Sequence, residues 1–258
     1  MATTDRATAV LTIDLAAVAE NFRSLRRRFA GSELGAAVKA NAYGLGAAQV
    51  APALWRAGAR TFFVATLDEG IALRATLGKA QIAVLHGLTT GPADEFLSHR
   101  LIPVHNSIAE IDTWLAAAPD MPSALHIDTG IARLGMPTRD VAMLADTKRL
   151  SALSLAFVMS HLACSDDAAH PLNARQRDRF RAACAALAIP AYVPRSLVAS
   201  AGIFLEPPYH FDLGRPGAAL YGIGVQADCP NAMRPVVRLS GKILQLRDVD
   251  SDSTVGYG

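Results

Sequence analysis

The feature that most constrains this chain is a repeated alternation of short apolar runs with alanine-rich stretches of helical length. The apolar runs fall at 34–38, 61–65, 81–85, 101–104, 124–127, 155–159, 196–199 and 209–213. Between most of them lie helical patterns, including 46–57, 67–76, 107–117 and 173–188. Strands that alternate with helices build a parallel sheet, because a parallel connection needs a crossover long enough to hold a helix. About eight such units in ~200 residues predict an α/β fold, a (β/α)8 TIM-type barrel. An open doubly wound sheet is the runner-up. Ahead of these units, residues 8–13 read as a strand, and Asp14 as the N-cap of a helix running to about Phe29.

After Gly224 the pattern changes. The segment VQADCPNAMRP is loop-like, and residues 235–247 alternate as a strand of an antiparallel sheet does. The expected organisation is a barrel domain over 1–228 and the beginning of a C-terminal β-domain over 229–258. One or two strands do not make a stable sheet alone, so the β-domain reads as truncated.

Composition narrows the class. Of 258 residues 51% are hydrophobic and 19% charged, which describes a soluble protein with ample core. A net charge of +2 gives no electrostatic case for nucleic acid. The first ten residues, MATTDRATAV, hold no signal-peptide apolar region, and no uncharged stretch reaches the ~20 residues of a membrane helix. Cys164, Cys184 and Cys229 are odd in number and without a CxxC pair, as expected of reduced thiols in a cytoplasm.

In a barrel, the residues just past each strand gather at the C-terminal face, where such folds keep their chemistry. Here these are Lys39, Thr66, His86, His105, Asp128, His161, Ser200 and Arg215. Lys39 stands out because the chain has only 4 lysines against 21 arginines. Desolvation lowers a lysine pKa, and only the neutral amine attacks an aldehyde, so Lys39 suits Schiff-base chemistry. A strand-end lysine snorkelling to solvent is the alternative. Asp128-Thr129-Gly130 occurs once, whereas an aspartic protease needs two such carboxylates. The run from His161 to Asp167 holds possible metal ligands but has no second cluster to complete a tetrahedral set, so no metal site is expected. Thr254-Val255-Gly256-Tyr257-Gly258 matches a potassium-channel filter but lacks the flanking membrane helices.

The stretch VKANAYGLG (38–46) resembles the pyridoxal-phosphate lysine motif of the alanine racemases. HIDTGIARLG (126–135), MSHLACSDD (159–167), VASAG (198–202), RPGAALYG (215–222) and the closing VGYG resemble further segments of that family, in its order. The resemblance implies that Lys39 holds pyridoxal 5'-phosphate covalently and that Tyr43, Ser200, Gly217 and Ala218 contact its phosphate. It further implies that Arg133 meets the cofactor's ring oxygen and the substrate carboxylate, that His161 neighbours the ring, and that Arg215 faces the pyridine nitrogen. Tyr257 matches the second catalytic base, which in the family comes from the partner subunit of a homodimer. The implied activity is racemisation of alanine by two bases, supplying D-alanine for peptidoglycan. Two positions depart from the family pattern. His126 stands where many members carry a lysine that can be carbamylated, and Ala199 where they usually carry asparagine. A barrel protein that binds the cofactor without turnover, or a racemase of another amino acid, are the alternatives.

Overall fold

The computed structural model describes residues 6–147, 149–227, 229–249, 254 and 256. The first strand, β1 (Ala9–Ile13), ends at Asp14, whose carboxylate accepts the Ala17 N–H at 2.9 Å and so starts α1 (Leu15–Arg28). Arg26, Arg27 and Arg28 complement the carbonyl end of that helix. Next come β2 (Glu33–Leu34) and β3 (Ala36–Ala37), one strand interrupted at Gly35, where a β-carbon would lie 2.7 Å from Thr61 O. The order then runs α2 (Lys39–Tyr43), α3 (Ala47–Ala57), β4 (Thr61–Val64), α4 (Leu67–Thr76), β5 (Gln81–Val84) and α5 (Ala93–Ser98). It continues through β6 (Ile102–His105), α6 (Ile108–Ala117), β7 (Pro122–His126), α7 (Thr138–Ala145), β8 (Ser154–Met159), α8 (Pro171–Ala186), β9 (Arg195–Ser196), β10 (Leu213–Gly214) and β11 (Val237–Gly241).

Strands β3 to β9 form a parallel sheet in sequence order. The strand β10 closes it. Arg195 O accepts from Asp212 N at 2.9 Å and Val198 O from Arg215 N at 3.0 Å, while Asp212 O and Gly214 O accept from Glu33 N and Gly35 N, each at 2.9 Å. Counting β2 and β3 as one, eight strands therefore close a parallel ring, the expected barrel. Ala37, Phe63, Ala83, Val104, Ala124, Met159 and Leu213 fill its interior. The alternate residues face the helices, where Phe62, Ile82, Leu125 and Val158 meet Phe96, Trp114 and Phe180 in the larger apolar layer.

Several boundaries differ from expectation. The strand expected at 209–213 shrinks to Leu213–Gly214, because Pro207 and Pro208 open a 3-10 turn over Pro207–Tyr209 and carry no N–H for a ladder. The one expected at 196–199 is the two-residue pair Arg195–Ser196. Helices α5 and α7 were not foreseen. Of 235–247 only Val237–Gly241 pairs, and it pairs antiparallel with β1, from Ala9↔Gly241 to Ile13↔Val237. The chain's first strand thus lies outside the ring, against the segment that follows the barrel. Among the described residues no helix is long and apolar enough to cross a membrane.

Candidate active site

Side chains alternate along a strand, so the residue two places beyond an inward-facing one also points inward, at the mouth of the barrel. Continuing from Ala37, Ala124, Met159 and Leu213 by two gives Lys39, His126, His161 and Arg215. All four line a cavity of about 720 Å³, together with Tyr43, Phe63, His86, Arg133, Ser200, Gly217 and Ala218. The same parity explains where the expectation fails. Val104 faces the interior, so His105 faces outward, fully buried against Trp114 with ring centroids 6.1 Å apart. Thr66 caps α4, and Asp128 Oδ1 accepts the N–H groups of Gly130, Ile131 and Ala132 at 2.9–3.2 Å. Neither Thr66 nor Asp128 lines the cavity. Tyr257 lies outside the described residues.

Lys39 begins α2, which is a single left-handed turn: Ala40, Asn41, Ala42 and Tyr43 have φ of 52°, 51°, 55° and 56°. Left-handed helix costs roughly 1–2 kcal/mol per residue for side chains other than glycine, and four such residues in a row mark a functional constraint. Asn41 Oδ1 accepts Ala47 N–H at 2.8 Å, and Glu69 Oε1 accepts Ala40 N–H at 2.6 Å. The turn directs Lys39 into the cavity and carries Tyr43 over Tyr221, with ring centroids 4.8 Å apart. Tyr221 is fixed in turn by donating to Ala37 O at 2.8 Å. Burial, reinforced by the positive charges of Arg133 and Arg215, lowers the Lys39 pKa, while Glu69 opposes the shift.

One wall is an anion cradle. Ser200 Oγ accepts the N–H groups of Gly217 at 2.9 Å and Ala219 at 3.1 Å. With both acceptor directions used, its own O–H is left to donate. Gly217 opens the short helix Ala218–Tyr221, and a β-carbon there would lie 2.9 Å from Tyr43 Cζ and 3.3 Å from Ala37 Cβ. The hydroxyls of Tyr43 and Ser200 therefore lie together beside the start of this short helix, where an anion meets donors.

Beside the cradle stands a buried cation. Arg215 is 5% exposed, donates to Ser160 O at 2.6 Å and to Ser196 Oγ, and stands 3.4 Å from His161 Nδ1. Burial lowers its pKa, but a guanidinium so hydrogen-bonded stays charged. Burial first, then the charge of Arg215, pushes His161 down to about 3. His126 falls to about 3 for the same reasons. Its Nδ1 lies 2.9 Å from Asn106 Oδ1, and the Asn106 amide donates to Leu85 O at 3.1 Å and Val104 O at 2.9 Å. Those bonds orient the amide so that its oxygen faces the ring, which makes Nδ1 the protonated nitrogen of His126. Glu69, Asn106, Ser196 and Tyr221 were not singled out from sequence. Glu69 left a trace there as the acid three residues after Thr66, and Tyr221 as part of RPGAALYG. Among the described residues no cluster of three or more metal-ligating side chains forms.

A lysine amine of lowered pKa, an anion cradle beside it and a fixed guanidinium nearby suit a phosphorylated carbonyl compound that condenses with the amine. Comparison with known proteins agrees. The family model described as "Alanine racemase, N-terminal domain" matches residues 13–224. An alanine racemase of Rhodospirillum rubrum is 48% identical over 98% of this chain and 69% of its own length. A catabolic alanine racemase of Mesorhizobium japonicum is 46% identical over 97% of this chain and 66% of its own. The crystal structure of alanine racemase from Bartonella henselae with covalently bound pyridoxal phosphate superposes with a TM-score of 0.89 at 37% identity, covering 97% of this chain and 71% of that one. The chain thus spans about two thirds of the length of these relatives. A match that runs through the barrel strands from β2 to β10, on the same fold, leads to one conclusion: the chain belongs to the alanine racemase family.

Proposed function

We propose that this chain is the cofactor-binding part of a pyridoxal-phosphate-dependent alanine racemase, an isomerase interconverting L- and D-alanine. The observation that carries the reading is the convergence of Lys39, the Ser200–Gly217 cradle and Arg215 on one cavity. The residues fit the group: the hydroxyls of Ser200 and Tyr43 are donors for a phosphate, and the missing β-carbon at Gly217 is what admits the Tyr43 hydroxyl to the cradle. Once bound, pyridoxal phosphate supplies the electron-withdrawing chemistry that acidifies the α-hydrogen of an amino acid.

The chain's own residues do the rest. Lys39 would hold the cofactor and would serve as the base for one enantiomer. Tyr43, Ser200, Gly217 and Ala218 hold the phosphate. Arg133 would bind the cofactor's ring oxygen and the substrate carboxylate with a guanidinium fork. His161 and Arg215 would line the cofactor's ring, with Arg215 toward the pyridine nitrogen and keeping its own proton. Tyr257 would be the second base, because inversion at carbon needs a proton removed from one side and returned on the other. In this reading the barrel spans 1–228, residues 229–258 begin a β-domain, and the working unit is a cytoplasmic homodimer that supplies D-alanine for peptidoglycan.

Borohydride reduction of the cofactor-loaded protein followed by peptide mapping tests the reading, with L- to D-alanine conversion measured beside it. The adduct is expected on Lys39. An adduct on Lys79, Lys148 or Lys242 overturns the assignment, and an adduct on Lys39 without turnover leaves a cofactor-binding protein.

A further inference from the structure

The left-handed turn that presents Lys39 is held by a residue outside every motif. Glu69 lies in the first turn of α4, and Thr66 Oγ1 accepts its N–H at 3.4 Å. Glu69 returns the bond one residue early, its Oε2 accepting Ala65 N–H at 2.7 Å. The other carboxylate oxygen reaches across to the neighbouring loop and accepts Ala40 N–H at 2.6 Å. Ala40 follows Lys39 directly and is the first of the four residues at positive φ. One half-buried carboxylate thereby ties the end of β4 to the turn after β3.

A second glutamate provides the contrast. Glu110, in the first turn of α6, accepts Asn106 N–H at 3.1 Å and also the N–H of Leu88, beside Gly87. At Gly87 a positive φ meets no β-carbon of its own, so nothing unfavourable needs holding. At Glu69 the amide held is that of an alanine in a backbone region unfavourable to it. Glu69 also differs in what it faces. Arg133, from the loop after β7, and Arg215, after β10, both disfavour the Lys39 ammonium, whereas Glu69, from α4, favours it.

We infer that Glu69 is a positioning residue for Lys39, its carboxylate fixing the Ala40 amide and with it the turn that aims the amine into the cavity. The inference rests on the reading of Lys39 as the cofactor-holding amine.

Two readouts need no cofactor. Amide hydrogen exchange at Ala40 reports the clamp, and trace acetylation of the cofactor-free protein across pH, with peptide mapping, reports the titration of Lys39. In Glu69→Ala, Ala40 exchange rises about tenfold or more, as loss of a hydrogen bond to a charged group requires. In Glu69→Gln the charge is gone and one of the two acceptor oxygens becomes an NH₂, so the amide of Ala40 or of Ala65 loses its partner. There, exchange rises at one of these two amides and the Lys39 midpoint moves to lower pH. The rate of adduct formation with pyridoxal phosphate falls about tenfold in Glu69→Ala, in proportion to the lost bond. Unchanged Ala40 exchange in Glu69→Ala overturns the proposal, whatever the titration does. If exchange responds but the unmutated chain forms no adduct at Lys39, the clamp stands and the cofactor reading fails. If the adduct forms at Lys39 equally fast in the unmutated chain and in Glu69→Ala, Glu69 does not position the amine.

Discussion

Tyr43 occupies the space in which Gly217 would carry a side chain: a β-carbon at 217 would lie 2.9 Å from Tyr43 Cζ and closer still to its hydroxyl. The φ of Gly217, −129°, is not left-handed, so it is the approach of the tyrosine that argues for glycine here. Gly217→Ala must therefore displace the ring. Overpacking of this kind costs about 1–3 kcal/mol, and the cost falls on the phosphate cradle. The dissociation constant for pyridoxal phosphate, measured by absorbance titration, is expected to rise about tenfold or more. Tyr43→Phe, which removes the hydroxyl at the point of closest approach, should relieve part of the steric loss in the double variant.

Arg215 keeps its guanidinium within 3.4 Å of a neutral His161, buried and bonded to Ser160 O. A glutamate at 215 presents a carboxyl that can carry a proton where arginine cannot release one. Arg215→Glu is expected to slow racemisation and to raise the share of turnover lost to the pyridoxamine form. The measurement is the ratio of the two products, and an unchanged ratio removes Arg215 from the ring.

His105 is fully buried with both ring nitrogens unpartnered, and burial pushes its pKa down to about 4. In the unfolded chain the same imidazole titrates near 6.5. Between these values the unfolded state holds the proton and the folded state does not, so stability is lost as pH falls below 6.5. The slope from this group is about 1.4 kcal/mol per pH unit. His105→Leu should flatten the loss between pH 6.5 and 4 by that amount and raise stability at neutral pH. Urea unfolding at several pH values reads it.

Tyr257 and Lys39 are proposed for opposite enantiomers, lysine for D-alanine and tyrosine for L-alanine. In Tyr257→Phe, deuterium incorporation from D₂O at the α-carbon should persist for D-alanine and collapse for L-alanine. A general base contributes ~10²–10⁴ in rate, so the asymmetry is large. Equal loss for both enantiomers ends the two-base assignment.

What was legible from sequence followed from period and parity. Runs such as Phe62-Phe63-Val64 are buried on both faces, as strands of a covered parallel sheet are, and the count of about eight strand–helix units favoured a ring over an open sheet. The end of each strand was also readable, because polar residues mark it. Which side the next side chain takes was not, since that depends on register with the neighbouring strands. His105 and His126 each close a strand, yet one packs on Trp114 and the other enters the cavity. The turn Ala40–Tyr43 was illegible for another reason: alanine and tyrosine favour right-handed helix, and a tertiary clamp overrides that preference. Glu69 could not be found from spacing alone, because its capping signature says nothing of a second amide from a different loop.

The pairing of β1 with β11 carries a consequence for how the chain is made. Ala9 is synthesised well before its partner, Gly241. Loop closure over that span is entropically slow compared with the local strand–helix–strand units. The barrel can assemble in order of synthesis while β1, with Leu11 55% exposed even after pairing, waits as an open apolar edge. Synthesis rate past residue 241, rather than the barrel itself, then sets how long a newborn chain is open to wrong partners.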